Sequence, residues 1–273
     1  MKREKKLPKA AVCILGFIIL ACAFAPVLAP FTPDQMDSSA LNAAPGGAHL
    51  LGTDALGRDL LSMLLYGGQA SIYIGLLSGL ISTVVAVVYG TVSGLCSEKN
   101  SDLLMRFAEL CMSIPSILLV IFFQALWGKP TATSLAVIIA LTGWMNISKI
   151  VRSEVRQIAG SDYVLAAKTM EGGFWYILRK HLLPNFISSI MFMVVTNIGQ
   201  AMITESTLSF LGLGLPLTTV SWGSLMSMSE EALLSNSWWM IVIPGTVLIT
   251  TLVCVTSMGE YVRRKNNRIY SNL

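Results

Sequence analysis

Long apolar runs separated by short polar segments dominate this chain of 273 residues. A helix that spans a membrane needs about 20 mostly apolar residues, and six runs meet that requirement. The pattern therefore predicts an all-α membrane protein with six transmembrane helices, at about residues 9–30, 70–95, 103–127, 133–151, 186–211 and 238–260. The second run contains Gly75-x-x-x-Gly79 and Gly90-x-x-x-Gly94, a spacing typical of helices that pack closely against one another in lipid.

Polar residues and one proline modify the third and fourth runs. Pro115 is expected to kink the third run or to end a helical turn there. Arg106 and Glu109 lie three residues apart on one helix face, where they are expected to pair. Three basic residues extend the fourth run and are predicted to anchor it at lipid headgroups: Lys149, Arg152 and Arg156.

Composition and charge agree with a membrane protein and give its orientation. The chain is 54% hydrophobic and 12% charged, with a mean hydropathy of +0.67. If the N-terminus is inside, all but two of the 19 Lys and Arg residues, Arg58 and Lys129, fall on the inner side, as the positive-inside rule requires. Both termini are therefore predicted to be cytoplasmic. The net charge of +4 reflects this bias, and no basic patch with interleaved aromatic residues indicates a nucleic-acid partner.

The first 30 residues also fit a secretory signal or a lipoprotein cleavage site, because a basic start and an apolar run lead to Ala21-Cys22-Ala23. The apolar run continues to Leu28, which is longer than the usual core of about 7–15 residues in a signal. A retained first span is the favoured interpretation.

The five cysteines are odd in number and lack a C-x-x-C spacing, so they are interpreted as small core residues.

A polar-flanked segment, Ser161 to Asn185, lies between the fourth and fifth runs. Its first half has an amphipathic helical pattern at Tyr163, Ala166, Ala167 and Met170. Gly172-Gly173 is expected to end this helix, and Pro184 suits the first turn of the next one. The segment is predicted to be a helical hairpin at the membrane surface, and its amphipathic pattern alone is typical of a helix that lies on the membrane interface or on another helix.

The same segment resembles the "EAA" loop of bacterial ABC-importer permeases, in which E-A-A is followed by a glycine and later by I-x-L-P. Ala166-Ala167 match the alanines, whereas Leu165 replaces the usual glutamate and Glu171 occupies the usual glycine position. The resemblance implies a coupling loop at 153–184 that docks into a groove of a cytoplasmic ATPase. The residues it implies for ATPase coupling are Asp162, Tyr163, Ala166, Ala167, Met170, Glu171 and Gly172.

A second motif, G-T-D-x-x-G-R-D, precedes the second run. It consists of Gly52, Thr53, Asp54, Gly57, Arg58 and Asp59. Its residues predict a turn and a capped helix, in which Asp54 is able to cap and Arg58 to pair with either aspartate. The motif resembles the outer segment of permeases for oligopeptides, dipeptides and nickel. This resemblance implies a role in structure or in contact with a substrate-delivering protein.

A third motif follows the fifth run, where S-x-L-S-F-L-G-L-G is followed by S-W-G. It resembles the C-type permease subunit of peptide and nickel importers, although only one proline, Pro216, separates its two parts. Trp222 is expected at the outer interface with Trp238 and Trp239. Glu205, in the preceding run, must face a partner, a cavity or the interface, because a charge at membrane depth is unfavourable. Three polar residues of this run are candidates for lining or gating a path: Glu205, Asn197 and Gln200.

The chain contains no Walker A motif, since Gly128-Lys129-Pro130-Thr131 lacks the earlier glycine. His49 and His181 are its only histidines, and no metal-ligand cluster or catalytic triad is visible. No cofactor is therefore expected in this chain. A membrane scaffold or a lipid-modifying enzyme is the competing class, and it would need a catalytic constellation that the sequence does not show.

The resemblance implies a type I ABC-importer permease fold and a peptide or nickel cargo. Its implied partners are a paralogous permease, two ATPase subunits carrying ATP and Mg²⁺, an extracytoplasmic solute-binding protein and the lipid bilayer. The predicted division of the chain is a first helix with an outer linker (1–68), a permease domain (69–262) and a basic tail (263–273).

Overall fold

The computed structural model of the chain describes residues 8–128, 130–159, 176, 183–216 and 218–270. Apart from isolated β-bridges in the loop before the third helix, the regular structure of these residues is α-helical. The helices are α1 (Lys9–Ala23), α2 (Ala25–Leu28), α3 (Leu60–Leu95), α4 (Glu98–Met112), α5 (Ser116–Trp127), α6 (Ala132–Ala159), α7 (Leu183–Phe210), α8 (Trp222–Ser227), α9 (Ser229–Leu234) and α10 (Trp239–Tyr270).

Helix α3 is the longest helix among the described residues and lies at the centre of the packing. Its 36 residues give a length of about 54 Å, which exceeds the hydrocarbon thickness of about 30 Å. The predicted second span began at residue 70, whereas α3 begins ten residues earlier, at Leu60. The sequence pattern missed this part because Ser62, Tyr66 and Gln69 interrupt the apolar run.

The two glycine pairs of α3 pack against different helices, as the small-xxx-small spacing predicts. A Cβ added at Gly75 would lie 2.6 Å from Met202 Cγ of α7, and one at Gly79 would lie 2.5 Å from Ile198 of the same helix. A Cβ at Gly90 would lie 2.6 Å from the Ser148 oxygen of α6. The glycines therefore allow the middle of α3 to contact α7 and the C-terminal part of α3 to contact α6.

The predicted third span is not one straight helix. Helices α4 and α5 meet at an angle of 83°, with Pro115 at the N-cap of α5. Proline has no N–H to continue the helical hydrogen bonds, so the chain turns sharply there. Of the two effects expected of Pro115, a kink or the end of a turn, the structure shows the second, since α4 ends at Met112 and α5 begins directly after Pro115.

Three described helices are long and apolar enough to cross a membrane: Leu60–Leu95, Ala132–Ala159 and Trp239–Arg264. The bent α4–α5 pair makes a fourth if it is counted as one span. Helix α1 has 15 residues and is shorter, and α7 is not among the three. The protein is thus mostly helical with three to four candidate spans in its described part, and six spans stay a prediction.

The helix bundle has two distinct ends. The end that carries residues 29–59 and 211–238 is called the loop end here. Gly68 of α3 contacts Cys22 of α1 there, which places the start of α1 at the opposite end. At that opposite end, a Cβ on Gly94 would touch Val155 of α6, and the Arg263 guanidinium of α10 lies 5.0 Å from the Phe192 ring of α7. The start of α1, the end of α6, the start of α7 and the end of α10 therefore share one end.

Candidate functional site

The G-T-D-x-x-G-R-D motif forms a compact turn at the loop end. Gly52 and Gly57 have φ angles of +85° and +76°, which L-residues with side chains rarely adopt. A Cβ on Gly52 would lie 2.7 Å from the Ala43 oxygen, and one on Gly57 would overlap the backbone of Asp37. Both glycines are thus required by backbone conformation and by close approach.

Asp54 and Arg58 form an ion pair inside this turn. One carboxylate oxygen of Asp54 accepts hydrogen bonds from the backbone N–H groups of Leu56 and Arg58, at 2.9 and 2.8 Å. The other oxygen accepts from the Arg58 guanidinium at 2.7 Å. The two side chains are only 5% and 11% exposed, so the pair belongs to the interior of the loop. Of the two aspartates predicted as partners of Arg58, the structure selects Asp54.

The N-cap of α3 is Asp59, not Asp54. Its carboxylate accepts from the backbone N–H and the hydroxyl of Ser62, both at 2.8 Å, which satisfies a first-turn donor of the helix. The other carboxylate oxygen contacts Nδ1 of His49 at 3.0 Å. His49 is buried and stacks on Phe31. Sequence reasoning gave His49 no role, because its partner lies ten residues away across a turn.

Thr53 and Trp239 attach this turn to helix α10. Thr53 is fully buried, and its hydroxyl accepts from the Ala43 N–H at 2.8 Å and donates to the Ala40 oxygen. The indole N–H of Trp239 donates to the Thr53 oxygen at 3.1 Å. The motif therefore links the outer loop, the start of α3 and the start of α10.

Glu205 lies at a crossing of α3, α7 and the segment before α8, and it is 0% exposed. Its carboxylate accepts from Ser71 of α3 at 3.0 Å and from Ser209 of α7 at 2.9 Å. Each serine in turn accepts a backbone N–H, from Trp222 at 3.2 Å and from Leu215 at 3.4 Å. Because each hydroxyl is occupied as an acceptor, it points its proton at the carboxylate. Glu205 thus has the hydrogen-bonded partners that its depth was predicted to require.

The third motif folds back onto this crossing. Gly212, at φ +73°, ends α7 in a Schellman arrangement, in which the Leu213 N–H donates to the Leu208 oxygen at 2.8 Å. Ser221 then caps α8 in a capping box with Ser224. A Cβ on Gly223 would lie 2.5 Å from Cα of Ser206. The S-W-G sequence therefore allows α8 to press against α7.

The prediction that Trp222 lies at an outer interface is wrong. Trp222 is 0% exposed and packs over Gly68, and its indole N–H donates to the Leu64 oxygen at 2.9 Å. Trp239 is also buried, at 7% exposed, whereas Trp238 is 57% exposed. An interface preference is a statistical tendency of tryptophan, and here the buried N–H groups bind carbonyls of the protein.

The other two path candidates of α7 have different surroundings. The side-chain amide of Asn197 donates to Ser82 of α3, and its oxygen lies beside Gly143 of α6, so Asn197 joins three helices. Gln200 is exposed, and no hydrogen bond of its side chain is seen within the described part of the chain. The hydroxyl of Thr204, one helical turn further on, donates to the backbone carbonyl of Gln200 at 2.9 Å.

At the opposite end, basic residues of α6 bind α4. Lys149 pairs with Glu109 at 3.1 Å. Arg152 donates to Asp102 and to the Ser101 hydroxyl, both at 2.8 Å. The expected Arg106–Glu109 pair is therefore replaced by Lys149–Glu109, and Lys149 and Arg152 bridge two helices. The contact of the basic residues of α6 with lipid headgroups stays a prediction.

A further polar side chain that sequence reasoning missed is Gln124 of α5. It is 8% exposed, and its amide nitrogen donates to the Leu213 and Gly214 oxygens at 2.7 and 2.9 Å. A lone amide within an apolar run was the available signal.

All seven residues expected to couple to an ATPase lie outside the described residues: Asp162, Tyr163, Ala166, Ala167, Met170, Glu171 and Gly172. Among the described residues, no group of three or more His, Cys, Asp and Glu side chains is placed to hold a metal ion.

Two family models match this chain. The model for the binding-protein-dependent transport system inner membrane component matches residues 86–268. The model for the N-terminal TM domain of oligopeptide transport permease C matches residues 3–45, a region in which no specific motif was recognised.

Curated relatives match over most of the chain. The dipeptide transport system permease protein DppC of Bacillus subtilis is 33% identical over 94% of this chain and 80% of its own length. The oligopeptide transport system permease protein OppC of the same organism is 33% identical over 91% and 81%. A probable D,D-dipeptide transport system permease protein, DdpC of Escherichia coli, is 29% identical over 96% and 88%.

Proposed function

The chain belongs to the family of binding-protein-dependent transport system inner membrane components, and from this premise we propose that it is a permease subunit of an ABC importer for di- or oligopeptides. The family is one of transport permeases and not of enzymes, and its members are multi-pass proteins of the inner membrane. The observation that carries the proposal is the match over 94% of the chain to a dipeptide permease. Nickel is the less favoured cargo, since the relatives described above are named for peptides.

We place six spans in the membrane, in a type I importer fold with both termini in the cytoplasm. Two features support this arrangement. Helices α1, α6 and α10 carry their basic residues toward the opposite end of the bundle, as the positive-inside rule requires of a cytoplasmic side. The end of α6 and the start of α7 also lie at this end, and the proposed coupling residues belong to the sequence that connects them. The loop end then faces outward.

The proposed assembly contains a paralogous permease, two ATPase subunits that bind ATP and Mg²⁺, and an external solute-binding protein. The loop end offers a surface for that last partner. Leu50, just before the turn of residues 52–59, and Leu56, within it, are 64% and 47% exposed. Exposed apolar side chains on a hydrogen-bonded loop are suited to a protein contact. The G-T-D-x-x-G-R-D motif would thus serve both of its expected roles, since it shapes the loop that the solute-binding protein contacts.

Among the three path candidates, Gln200 is the one we assign to the translocation path. An exposed amide on a helix at membrane depth is unfavourable in lipid, so its face should meet water or a second permease. Glu205 and Asn197 instead hold helices together through buried hydrogen bonds, and a gating role for them would act through that packing.

Ala167→Asp tests the proposed coupling segment. The substitution places a charge where two alanines are expected to fit a groove of the ATPase, and we expect lower ATP-driven peptide uptake by the complete importer in proteoliposomes. Asn100→Asp is the matched control, because it adds one negative charge to an exposed position at the same end of the bundle. Normal uptake with Ala167→Asp would count against the coupling role, and absence of peptide uptake by the unmodified importer would refute the cargo.

A further inference from the structure

Helix α5 is joined to the turn after α7 by a single side chain. Gln124 donates two hydrogen bonds through its amide nitrogen, to the Leu213 and Gly214 oxygens. Its own oxygen is buried and has no hydrogen-bond partner among the described residues. A buried acceptor without a donor is unfavourable, so a different position of α5 that supplied a donor would be favoured by this group. Leu213 and Gly214 belong to the same turn whose Leu215 N–H binds Ser209 beside Glu205.

Helix α4 is joined at the opposite end to both of its neighbours. Arg152 of α6 binds Ser101 and Asp102, and Ser93 of α3 contacts the Ser101 hydroxyl at 3.1 Å. These contacts lie in the first turns of α4. Arg152 is seven residues before Ala159, where the described part of α6 ends, so the start of α4 is attached close to the end of α6.

Between these two attachments the chain has one break. Helices α4 and α5 are each continuous and meet at 83° around Pro115. Because a hydrogen-bonded helix is stiff and a proline break is where bending concentrates, the pair behaves as two rods joined at one point. If α6 were displaced at Arg152, its contacts would move α4, and the bend at Pro115 would determine how far α5 and Gln124 follow.

Resting on the proposed function, we propose that α4 and α5 form a bent strut that connects the ATPase side of the permease to its outer turn at residues 211–216, with Arg152 and Gln124 as the positioning residues at its two ends. Arg152 holds the strut through an ion pair whose aspartate is 64% exposed and which is therefore easily rearranged. Gln124 holds it through a buried amide. Both residues act by positioning the strut, so that peptide uptake by the permease depends on ATP hydrolysis by the partner ATPases.

Two single variants and their double test this linkage in the complete importer, reconstituted in proteoliposomes. Gln124→Met keeps the side-chain length and removes both donors, and Arg152→Met removes the contacts to α4. We expect each to lower peptide uptake per ATP hydrolysed by about fivefold or more, the low end of a typical coupling between sites, while hydrolysis continues and the subunits still copurify. Gln35→Met and Arg106→Met are matched controls at exposed positions, and they should leave the ratio unchanged.

The double variant separates one linkage from two independent defects. If both residues belong to one strut, the double variant should be no worse than the worse single variant, whereas independent defects should multiply. Arg152→Lys keeps the charge and one of the two contacts, so it should restore part of the ratio. An unchanged ratio in both single variants, a parallel fall of uptake and hydrolysis, or multiplying defects would each overturn the strut.

A second measurement does not depend on the cargo. Spin labels at Leu103 of α4 and Leu126 of α5, which are 69% and 70% exposed, would report the bend in a variant whose native cysteines are replaced. We expect their distance to change when the ATPases are trapped with vanadate, and not to change in Arg152→Met. The same distance in both nucleotide states would refute the inference even if peptide uptake is confirmed, and a changing distance without peptide uptake would refute only the cargo.

Discussion

Carboxylates at the two ends of the bundle have opposite surroundings. At the loop end and just below it, Asp54, Asp59 and Glu205 are 4%, 1% and 0% exposed, and each accepts several hydrogen bonds from fixed donors. At the opposite end, the side chains of Asp102 and Glu109 are 64% and 58% exposed, and each pairs with one basic residue of α6.

This difference separates a fixed region from one that can rearrange. Removing one partner of a buried polar pair leaves an unsatisfied group, at a cost of about 1–3 kcal/mol. An exposed ion pair contributes only about 0.2–1 kcal/mol and can be exchanged for water. If an external protein docks at the loop end and an ATPase acts at the opposite end, as proposed above, the first partner meets a fixed surface and the second meets contacts that can be replaced.

The strongest test of the fixed region is Gly57→Ala. A methyl group there would overlap the Asp37 backbone at a φ of +76°, and we expect a loss of about 2–5 kcal/mol from left-handed strain and overpacking together. Gly47→Ala is the control, because Gly47 also has a positive φ, +51°, but nothing lies within 4 Å of the added Cβ. It should lose only the strain, about 1–2 kcal/mol. The thermal unfolding midpoint of each detergent-purified variant measures these losses. Equal shifts for the two variants would show that the loop around Gly57 rearranges to accommodate the added methyl group.

A smaller effect is expected at the junction between the outer turn and α10. Trp239→Phe removes the N–H that binds the Thr53 oxygen and leaves that buried acceptor unpaired, so we expect a loss of about 1–3 kcal/mol. Trp238→Phe makes the same substitution at an exposed neighbour and should stay within about 0.5 kcal/mol. Both are read from unfolding midpoints. If the two variants are equally stable, Trp239 does not fix α10 to the turn.

Much of the fold follows from local pattern alone. The start of α6 at Ala132 and of α7 at Leu183 lie within a few residues of the predicted spans, because long apolar runs are strong signals. The angle of 83° at Pro115 was not predictable from the sequence. The G-T-D-x-x-G-R-D motif predicted a capped helix, but its continuity with the second span was missed, because polar residues interrupt the apolar run between Leu60 and residue 70. The glycine pairs of α3 predicted close helix packing, but only the structure shows that Gly75 faces α7 and that Gly90 faces α6.

The candidate site divides in the same way. The local turn of residues 52–59 was expected from its glycines and aspartates, whose capping chemistry acts over a few residues. The contacts of Trp222 with Leu64, of Gln124 with Leu213 and of Lys149 with Glu109 join residues 40 or more positions apart, and no periodicity encodes them. The partner of Lys149 is especially hard to predict from the sequence, because a partly exposed lysine can pair with several nearby groups at similar energy.

The smallest expected effect tests the rearrangeable end. Glu109→Gln removes the charge that pairs with Lys149, and we expect a loss of only about 0.2–1 kcal/mol at low salt. At about 1 M salt, where the screening length is about 3 Å, the variant and the unmodified protein should unfold at the same temperature. Glu154→Gln is the control, since Glu154 lies on α6 at the same end and has no ion pair among the described residues, and it should show no salt-dependent difference. A loss for Glu109→Gln as large as that of Trp239→Phe and unaffected by salt would mean that the two ends are equally rigid, because an ion pair that resists screening behaves as a buried one.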